Sequence, residues 1–249
     1  MLRKNILITG ASSGLGREMA RQFAAKGRNL ALCARRLDNL QTLKQELTQD
    51  FPNITVSIKS LDVNEHDEVF RVFNEFATEF GQLDRIIINA GMGKGASIGT
   101  GYFEANKQTA MTNFVAALAQ CEAAMTIFRQ QNSGHLATIS SFSALRGFRR
   151  ALTVYAATKA GLSTLSEGIR VDVLGTPIKV TTIHPGFIRS EINEKVKKVP
   201  FIVDTKMGCR AIIKAVESEK ANAYVPKWPW AWMYYAIKIM PLSWLAKMS

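Results

Sequence analysis

Hydrophobic residues follow two alternating patterns along this chain. Short apolar runs, typical of strands buried on both faces, alternate with stretches in which apolar residues recur every three or four positions, as on one face of a helix. The predicted strands are Asn5–Thr9, Leu30–Ala34, Ile54–Ile58, Arg85–Ile88, His135–Ser140 and Lys179–His184. The predicted helices lie around Met19–Ala24 and at Leu37–Leu47, Val69–Phe80, Ala110–Phe128, Tyr155–Val173 and Thr205–Glu217.

This regular alternation of strands and helices predicts the fold class. Parallel strands joined by right-handed helical crossovers form a doubly wound sheet of the Rossmann type, with helices on both faces. A single α/β domain can accommodate 249 residues. We therefore expect one dinucleotide-binding and catalytic domain over residues 1–227, followed by an aromatic, apolar tail over residues 228–249.

A glycine-rich loop joins the first predicted strand to the first predicted helix. Its glycines permit a tight turn and let backbone N–H groups approach a pyrophosphate, while the helix N-terminus supplies positive potential. Because the loop lies between a strand and a helix, it favours dinucleotide binding over an ordinary turn. The candidate cofactor contacts in it are Gly10, Ser12, Ser13, Gly14, Leu15 and Gly16.

The end of the second strand indicates which dinucleotide binds. Proteins that bind NAD carry an acidic residue there, which accepts hydrogen bonds from the adenosine ribose. This chain has Ala34 at that position, followed by Arg35 and Arg36. A guanidinium suits the geometry of a phosphate, so we predict NADPH/NADP+ as the cofactor, with both arginines near its 2′-phosphate.

Further motifs follow in a recognisable order. After Thr9-Gly10-x-x-x-Gly14-x-Gly16 come Leu61-Asp62-Val63, Asn89-Ala90-Gly91, Asn113, a serine ahead of Tyr155-x-x-x-Lys159, and Pro185-Gly186. Over about residues 4 to 190, this combination resembles the short-chain dehydrogenase/reductase family in its compact single-domain form.

The resemblance implies roles for several of these residues. Asp62 and Val63 would hold the adenine, and Asn113 would position water beside Lys159. Residues 191–204 would form the substrate loop. The cofactor floor and the carboxamide contacts would be Asn89, Ala90, Gly91, Pro185, Gly186, Ile188 and Ser190, the last standing where the family usually has threonine.

The spacing of Tyr155 and Lys159 places both side chains on one helix face, a turn apart. A nearby ammonium favours the phenolate and lowers the pKa of a tyrosine, so we expect Tyr155 to act as general acid/base. Ser141 would hydrogen-bond the substrate oxygen beside it. Ser141 lies fourteen residues before Tyr155, one more than the family's common spacing, so Ser140 and Ser143 stay as alternatives.

We predict an oxidoreductase that reduces a small-molecule carbonyl to an alcohol, or the reverse, and the alternative is a catalytically idle NADP-binding regulatory or interaction protein.

The net charge is +12, with the excess at the two ends, but no interleaved basic and aromatic motif outside the tail favours nucleic acid. Three scattered cysteines and three histidines form no metal-ligand spacing, and the N-terminus has no signal-peptide pattern, which favours the cytoplasm. The family resemblance also implies a homodimer or homotetramer.

The tail is the most unusual segment, because all four tryptophans lie after position 227. Its apolar run is interrupted by Lys238 and Pro241 and is too short for a clean transmembrane helix. A hydrophobic lid, a subunit contact, burial against the sheet and peripheral membrane contact all suit this composition. The lid and the membrane surface both imply a bulky, apolar substrate.

Overall fold

A computed structural model describes residues 2–189 and 201–248, and within them seven strands form one parallel sheet. The strands are β1 (Asn5–Thr9), β2 (Asn29–Ala34), β3 (Val56–Ser60), β4 (Arg85–Ile88), β5 (Gly134–Ile139), β6 (Ile178–Pro185) and β7 (Asn222–Val225). Their order across the sheet is β3-β2-β1-β4-β5-β6-β7, and every neighbouring pair is parallel. The predicted doubly wound Rossmann-type fold is confirmed.

Helices cover both faces of this sheet. They are α1 (Gly14–Ala24), α2 (Leu37–Asp50), α3 (His66–Phe80), α4 (Phe103–Ala110), α5 (Ala116–Gln131), α6 (Leu152–Asp172), α7 (Thr205–Glu217), α8 (Lys227–Ile239) and α9 (Leu242–Met248). On β1, Ile6 and Ile8 face a core shared with α1, α2 and α7, whereas Leu7 faces a core shared with α3, α5 and α6. The strands are apolar at successive positions because both of their faces are buried.

Several elements differ from the sequence prediction. The strand expected at Ile54 begins at Val56, because Ile54 lies in a turn where its N–H donates to the Phe51 carbonyl. A π-helical turn at Met111–Val115 joins α4 to α5, so the helix expected from Ala110 begins earlier. Strand β7 was not predicted, because Val225 is its one fully buried residue and its hydrophobic pattern is therefore weak.

The tail folds back onto the domain as α8 and α9. It forms a small third core in which Trp230, Ile237 and Leu245 lie with Phe142. The Arg146 guanidinium donates three hydrogen bonds, of 2.8 to 3.2 Å, to the carbonyls of Ile237, Lys238 and Met240 at the end of α8. A cation at this position satisfies the free carbonyls of a helix C-terminus and complements the helix dipole.

The three cysteines are buried and free. Across residues 2–189 and 201–248, no helix combines the length and apolar character needed to cross a membrane.

Candidate active site

The glycine-rich loop lies at the end of β1, against the residues that follow the end of β4. Gly10 has φ +67°, and a Cβ there would lie 2.9 Å from the Cα of Ala90. A Cβ on Gly16 would lie 2.4 Å from the Gly10 carbonyl oxygen. Since both positions exclude a side chain, the loop stays close to the sheet and leaves the N-terminus of α1, which begins at Gly14, at the carboxyl edge of the strands.

Thr9 and Asn89 hold this loop in place. The Thr9 hydroxyl accepts hydrogen bonds from the backbone N–H groups of Asn89 and Ala90, at 3.0 and 3.1 Å. The Asn89 side-chain amide donates back to the Thr9 carbonyl at 2.9 Å. Asn89 therefore shapes the predicted cofactor floor, and Thr9 is a positioning residue that the sequence prediction did not assign, although a threonine at the end of a strand next to the first glycine was a signal.

The two arginines after β2 occupy different surroundings. Arg36 donates hydrogen bonds to the hydroxyls of Ser12 and Ser13, so it is tied to the glycine-rich loop. Arg35 is 70% exposed, and its Nη1 lies 3.8 Å from Oδ2 of Asp62. At the end of β2, the structure thus places Arg36 beside the loop and Arg35 beside Asp62.

Asp62 and Val63 lie where β3 ends. The Asp62 carboxylate accepts hydrogen bonds from the backbone and side-chain amides of Asn64, at 3.0 and 2.8 Å, and Val63 is buried. Thr112, in the π-helical turn, donates to the Asn64 side chain at 3.1 Å. This segment is therefore a hydrogen-bonded turn after β3, in which the Asp62 side chain is 36% exposed.

The serines after β5 are separated by the structure. Ser140 is 3% exposed, and its hydroxyl donates to the Lys159 carbonyl at 2.9 Å. The Ser141 hydroxyl accepts from the Ser143 backbone N–H at 3.1 Å, and it lies near the Tyr155 side chain. Ser143 contacts the Ser141 hydroxyl at 2.7 Å rather than Tyr155. Of the three candidates, Ser141 is the one near enough to Tyr155 to influence its pKa.

Tyr155 and Lys159 share one face near the start of α6, as their spacing predicted. Lys159 is 5% exposed, and its Nζ lies 5.9 Å from the centroid of the Tyr155 ring and donates to the Ile139 carbonyl at 2.9 Å. Burial lowers the pKa of Lys159 to about 8. The pKa of Tyr155 is raised by burial, which outweighs the lowering effect of nearby Ser141, so the expectation that Lys159 lowers it is not met here.

Asn113 lies in the π-helical turn and is buried. Its side-chain amide accepts from the Met92 N–H and donates to the Met92 carbonyl, each at 2.8 Å. A Cβ on Gly91 would lie 3.2 Å from the Asn113 Oδ1 and 3.5 Å from the Lys159 Nζ. The structure therefore gathers Gly91, Asn113 and Lys159 within a few ångströms, and π-turns are frequent at functional sites.

An aromatic wall closes the other side of the carboxyl edge. A Cβ on Gly186 would lie 2.1 Å from the Trp230 ring, which packs against Phe142 and Phe187 at centroid distances of 4.7 and 5.4 Å. The Trp230 side chain thus covers Gly186 of the Pro185-Gly186 motif, a contact that the sequence pattern did not indicate.

The end of β6 continues into the predicted carboxamide segment. Ile188 is buried and pairs with Val203, just before α7. Ser190 and most of the predicted substrate loop, residues 191–200, lie outside the described residues. His184 stacks on Tyr224 at a ring distance of 4.7 Å, as expected for a strand-end packing residue.

The chain matches the sequence profile of the short chain dehydrogenase family over residues 4–200. It belongs to that family. An uncharacterized oxidoreductase of Mycobacterium tuberculosis is 48% identical over 239 residues, which cover 96% of this chain and 94% of the relative. An 11-beta-hydroxysteroid dehydrogenase 1A of Arabidopsis thaliana is 31% identical over 90% of this chain and 69% of the relative.

A solved member has the same architecture. The NADPH-dependent 3-quinuclidinone reductase of Rhodotorula rubra superposes with a TM-score of 0.81, is 25% identical, and is matched over 89% of each chain. As a member of the short-chain dehydrogenase family, this chain is an oxidoreductase of the Rossmann type.

Proposed function

We propose that this short-chain dehydrogenase reduces a carbonyl to an alcohol, or runs the reverse reaction, with NADPH/NADP+ and with Tyr155 as the general acid/base. The observation that carries the proposal is the position of the Tyr155 ring, whose centroid lies 5.9 Å from the Nζ of buried Lys159, with Ser141 near the tyrosine, at the edge where the glycine-rich loop ends. A protein without chemistry has no need for an acid, a cation and a second hydroxyl in one place.

The residues present fit the cofactor. The loop from Gly10 to Gly16 and the N-terminus of α1 suit a pyrophosphate, because no Cβ obstructs the backbone N–H groups. Arg35 and Arg36 would hold the 2′-phosphate, since Ala34 offers no carboxylate to repel it. Asp62 and Val63 would take the adenine, and Asn89, Ala90, Gly91, Pro185, Gly186 and Ile188 would line the remaining path.

NADPH, when bound, supplies the hydride. Tyr155 then supplies the proton: its raised pKa keeps the phenol protonated at neutral pH, as a proton donor to a carbonyl oxygen requires. Ser141 shares the oxygen and orients it, and the Lys159 ammonium would hold the nicotinamide ribose and stabilise the phenolate left after proton transfer. Asn113 ties the segment after β4 to α6, through hydrogen bonds to Met92 and to Thr158 at 3.4 Å.

The substrate we propose is bulky and apolar. In the aromatic wall beside Gly186, Phe142 and Trp230 are buried and Phe187 is 37% exposed, so Phe187 carries the surface that is open to a substrate. The Arabidopsis thaliana relative is named for a hydroxysteroid, which is a substrate of this class. Each methylene that leaves water against such a wall contributes about 0.8 kcal/mol.

The proposal is tested by following NADPH oxidation over ketones and aldehydes of increasing chain length. We expect kcat/KM to rise with chain length, by up to about fourfold per methylene. Tight NADPH binding without turnover of any carbonyl or alcohol would instead favour the idle regulatory protein.

The cofactor preference is tested by binding titrations. NADPH should bind much more tightly than NADH, and Arg35→Ala should narrow that preference by about tenfold or more, because a charge-assisted contact contributes about 1.5–3 kcal/mol. Arg129→Ala is a matched control, since that residue lies in the last turn of α5. Equal affinities of the unmodified protein for the two cofactors would contradict the assignment.

A further inference from the structure

Helix α8 presents apolar residues on two opposite faces. Trp230 and Ile237 face the domain and are 1% and 2% exposed. Trp232, Tyr235 and Ile239 recur at the spacing of one helix face and are 72%, 69% and 85% exposed. The inner face is explained by the third core, but the outer face leaves two large aromatic rings and an isoleucine in water.

Large apolar residues outside this face of α8 are exposed too. Trp228 at its start, and Leu242 and Trp244 in α9, are 72%, 72% and 64% exposed. We call the set Trp228, Trp232, Tyr235, Ile239, Leu242 and Trp244 the tail face. Single exposed apolar residues are ordinary on protein surfaces, whereas six large ones within residues 228–244 indicate an interaction site.

The charged residues from position 220 onward all carry the same sign. Residues 220–249 contain four lysines and no aspartate or glutamate. Lys227, Lys238 and Lys247 are exposed on the same two helices that carry the tail face. A partner with an apolar layer beneath an anionic surface complements this arrangement, and tryptophan and tyrosine are the residues that favour such a boundary.

We propose that the tail face docks this protein onto the surface of an anionic lipid membrane, with α8 and α9 lying in the interface. Helix α8 has 13 residues and α9 has 7, which suits interfacial contact rather than a span of ~20 residues. The docking does not depend on turnover. Because Trp230 on the inner face of α8 covers Gly186, docking also brings the candidate active site next to the bilayer, where apolar substrates dissolve.

The four tryptophans provide an intrinsic probe, since all of them lie in the tail. Full-length protein is mixed with vesicles of phosphatidylcholine alone, and with vesicles that also contain phosphatidylglycerol. We expect co-sedimentation and a blue-shifted tryptophan emission mainly with the anionic vesicles, and quenching by lipids brominated near the headgroup. Added salt should weaken the binding.

Two sets of variants separate the apolar and electrostatic contributions. Trp232→Ser with Ile239→Ser should lower partitioning into anionic vesicles by at least about a hundredfold. Replacing Lys227, Lys238 and Lys247 by glutamine should lower it by about a hundredfold, with little effect on neutral vesicles. Leu174→Ser is the matched control, because Leu174 is also 72% exposed but lies in the turn before β6, at the opposite edge of the sheet.

A second copy of this chain is the alternative partner for the tail face, and sedimentation velocity without lipid tests for it. If the protein is a dimer that the Trp232 and Ile239 substitutions dissociate, a second copy covers the tail face and the proposal is wrong. Equal binding of wild-type and doubly substituted protein, or no binding to either vesicle, also overturns it. NADPH affinity and thermal unfolding, measured in parallel, verify that each variant is folded, so that a loss of binding is assigned to the tail face.

Discussion

The sheet has buried positive charges at both ends of its strands, at the amino edge, where the strands begin, and at the carboxyl edge, where they end. The partners of these charges differ. At the amino edge, Arg3 and Arg85 are 6% and 2% exposed, and both donate to the Glu219 carboxylate, at 2.9 and 3.3 Å. At the carboxyl edge, Lys159 is 5% exposed and donates to a neutral group, the Ile139 carbonyl. Burial lowers the pKa of a cation at both edges, to about 10 for Arg85 and to about 8 for Lys159, but at the amino edge the Glu219 carboxylate pairs with the guanidiniums, whereas Lys159 donates to a carbonyl.

A buried histidine, His135, also lies at the amino edge, in contact with Arg85. His135 accepts a hydrogen bond from the Arg85 Nε at 2.7 Å and contacts the Thr181 hydroxyl at 2.8 Å. Burial, together with the charges of Arg85 and Arg3, lowers the pKa of His135 well below its usual value, so this ring is neutral. The comparison teaches that a buried charge paired with a carboxylate serves stability, and that one left to a carbonyl is available for chemistry.

The largest effect is expected at the carboxyl edge. Tyr155→Phe should lower kcat by about 10²–10⁴-fold, because the proton donor is lost while the ring still packs. Thermal stability and NADPH affinity should stay nearly unchanged. The matched control is Tyr235→Phe, which removes an exposed hydroxyl from α8 and should keep full activity. Substantial turnover by the Tyr155 variant would remove this residue from the mechanism.

At the amino edge we expect a substitution to lower stability and to leave kcat unchanged. Glu219→Gln should lower the free energy of unfolding by about 2–3 kcal/mol, because Arg3 and Arg85 lose their shared carboxylate. Urea denaturation measures this change, and kcat should be unaffected. Glu217→Gln is the control, since Glu217 pairs with Lys26 and Arg28 nearer the surface and should cost at most about 1 kcal/mol. A large loss of activity in Glu219→Gln, with an unchanged free energy of unfolding, would contradict the assignment of Glu219 to stability.

The alkaline side of the pH profile should report on Lys159. Its pKa is lowered from 10.5 to about 8, so the ammonium loses its proton well before an ordinary lysine does. The kcat/KM for carbonyl reduction should fall about tenfold per pH unit above that value. A rate that stays constant to well above pH 8 would mean that the charge of Lys159 is not needed.

At acid pH we expect the free energy of unfolding, rather than the rate, to change. The folded state keeps His135 neutral, whereas the unfolded chain binds a proton below about pH 6.5, so the free energy of unfolding should fall as the pH drops, by at most ~1.4 kcal/mol per unit for this residue. Burial also lowers the pKa of His184 and adds to the slope, and the lowered pKa of Glu219 extends the loss at lower pH. Urea titrations of His135→Gln and His184→Gln should each show a shallower slope than wild type. An unchanged slope in His135→Gln would show that His135 does not contribute to the pH dependence of the free energy of unfolding.

Much of the fold could be predicted because it depends on local periodicity. The alternation of apolar runs and helical stripes identified six of the seven strands among the described residues, with small errors at their ends. Strand β7 was missed because an edge strand with one buried residue has little hydrophobic pattern. The glycine-rich loop and the Tyr155-x-x-x-Lys159 spacing could also be predicted, since a turn and a helix face are defined within a few residues.

What the sequence alone determined is the order of strands and helices and the chemistry available at their ends. Only the tertiary structure decided which hydroxyl lies near Tyr155, because Ser140 and Ser141 are neighbours that face opposite environments. It also decided that Trp230 is buried and Trp232 exposed, and that Arg3, Arg85 and Glu219 meet across the sheet. Burial and charge pairing depend on contacts between residues far apart in the chain, and those contacts exist only once the layers have packed together.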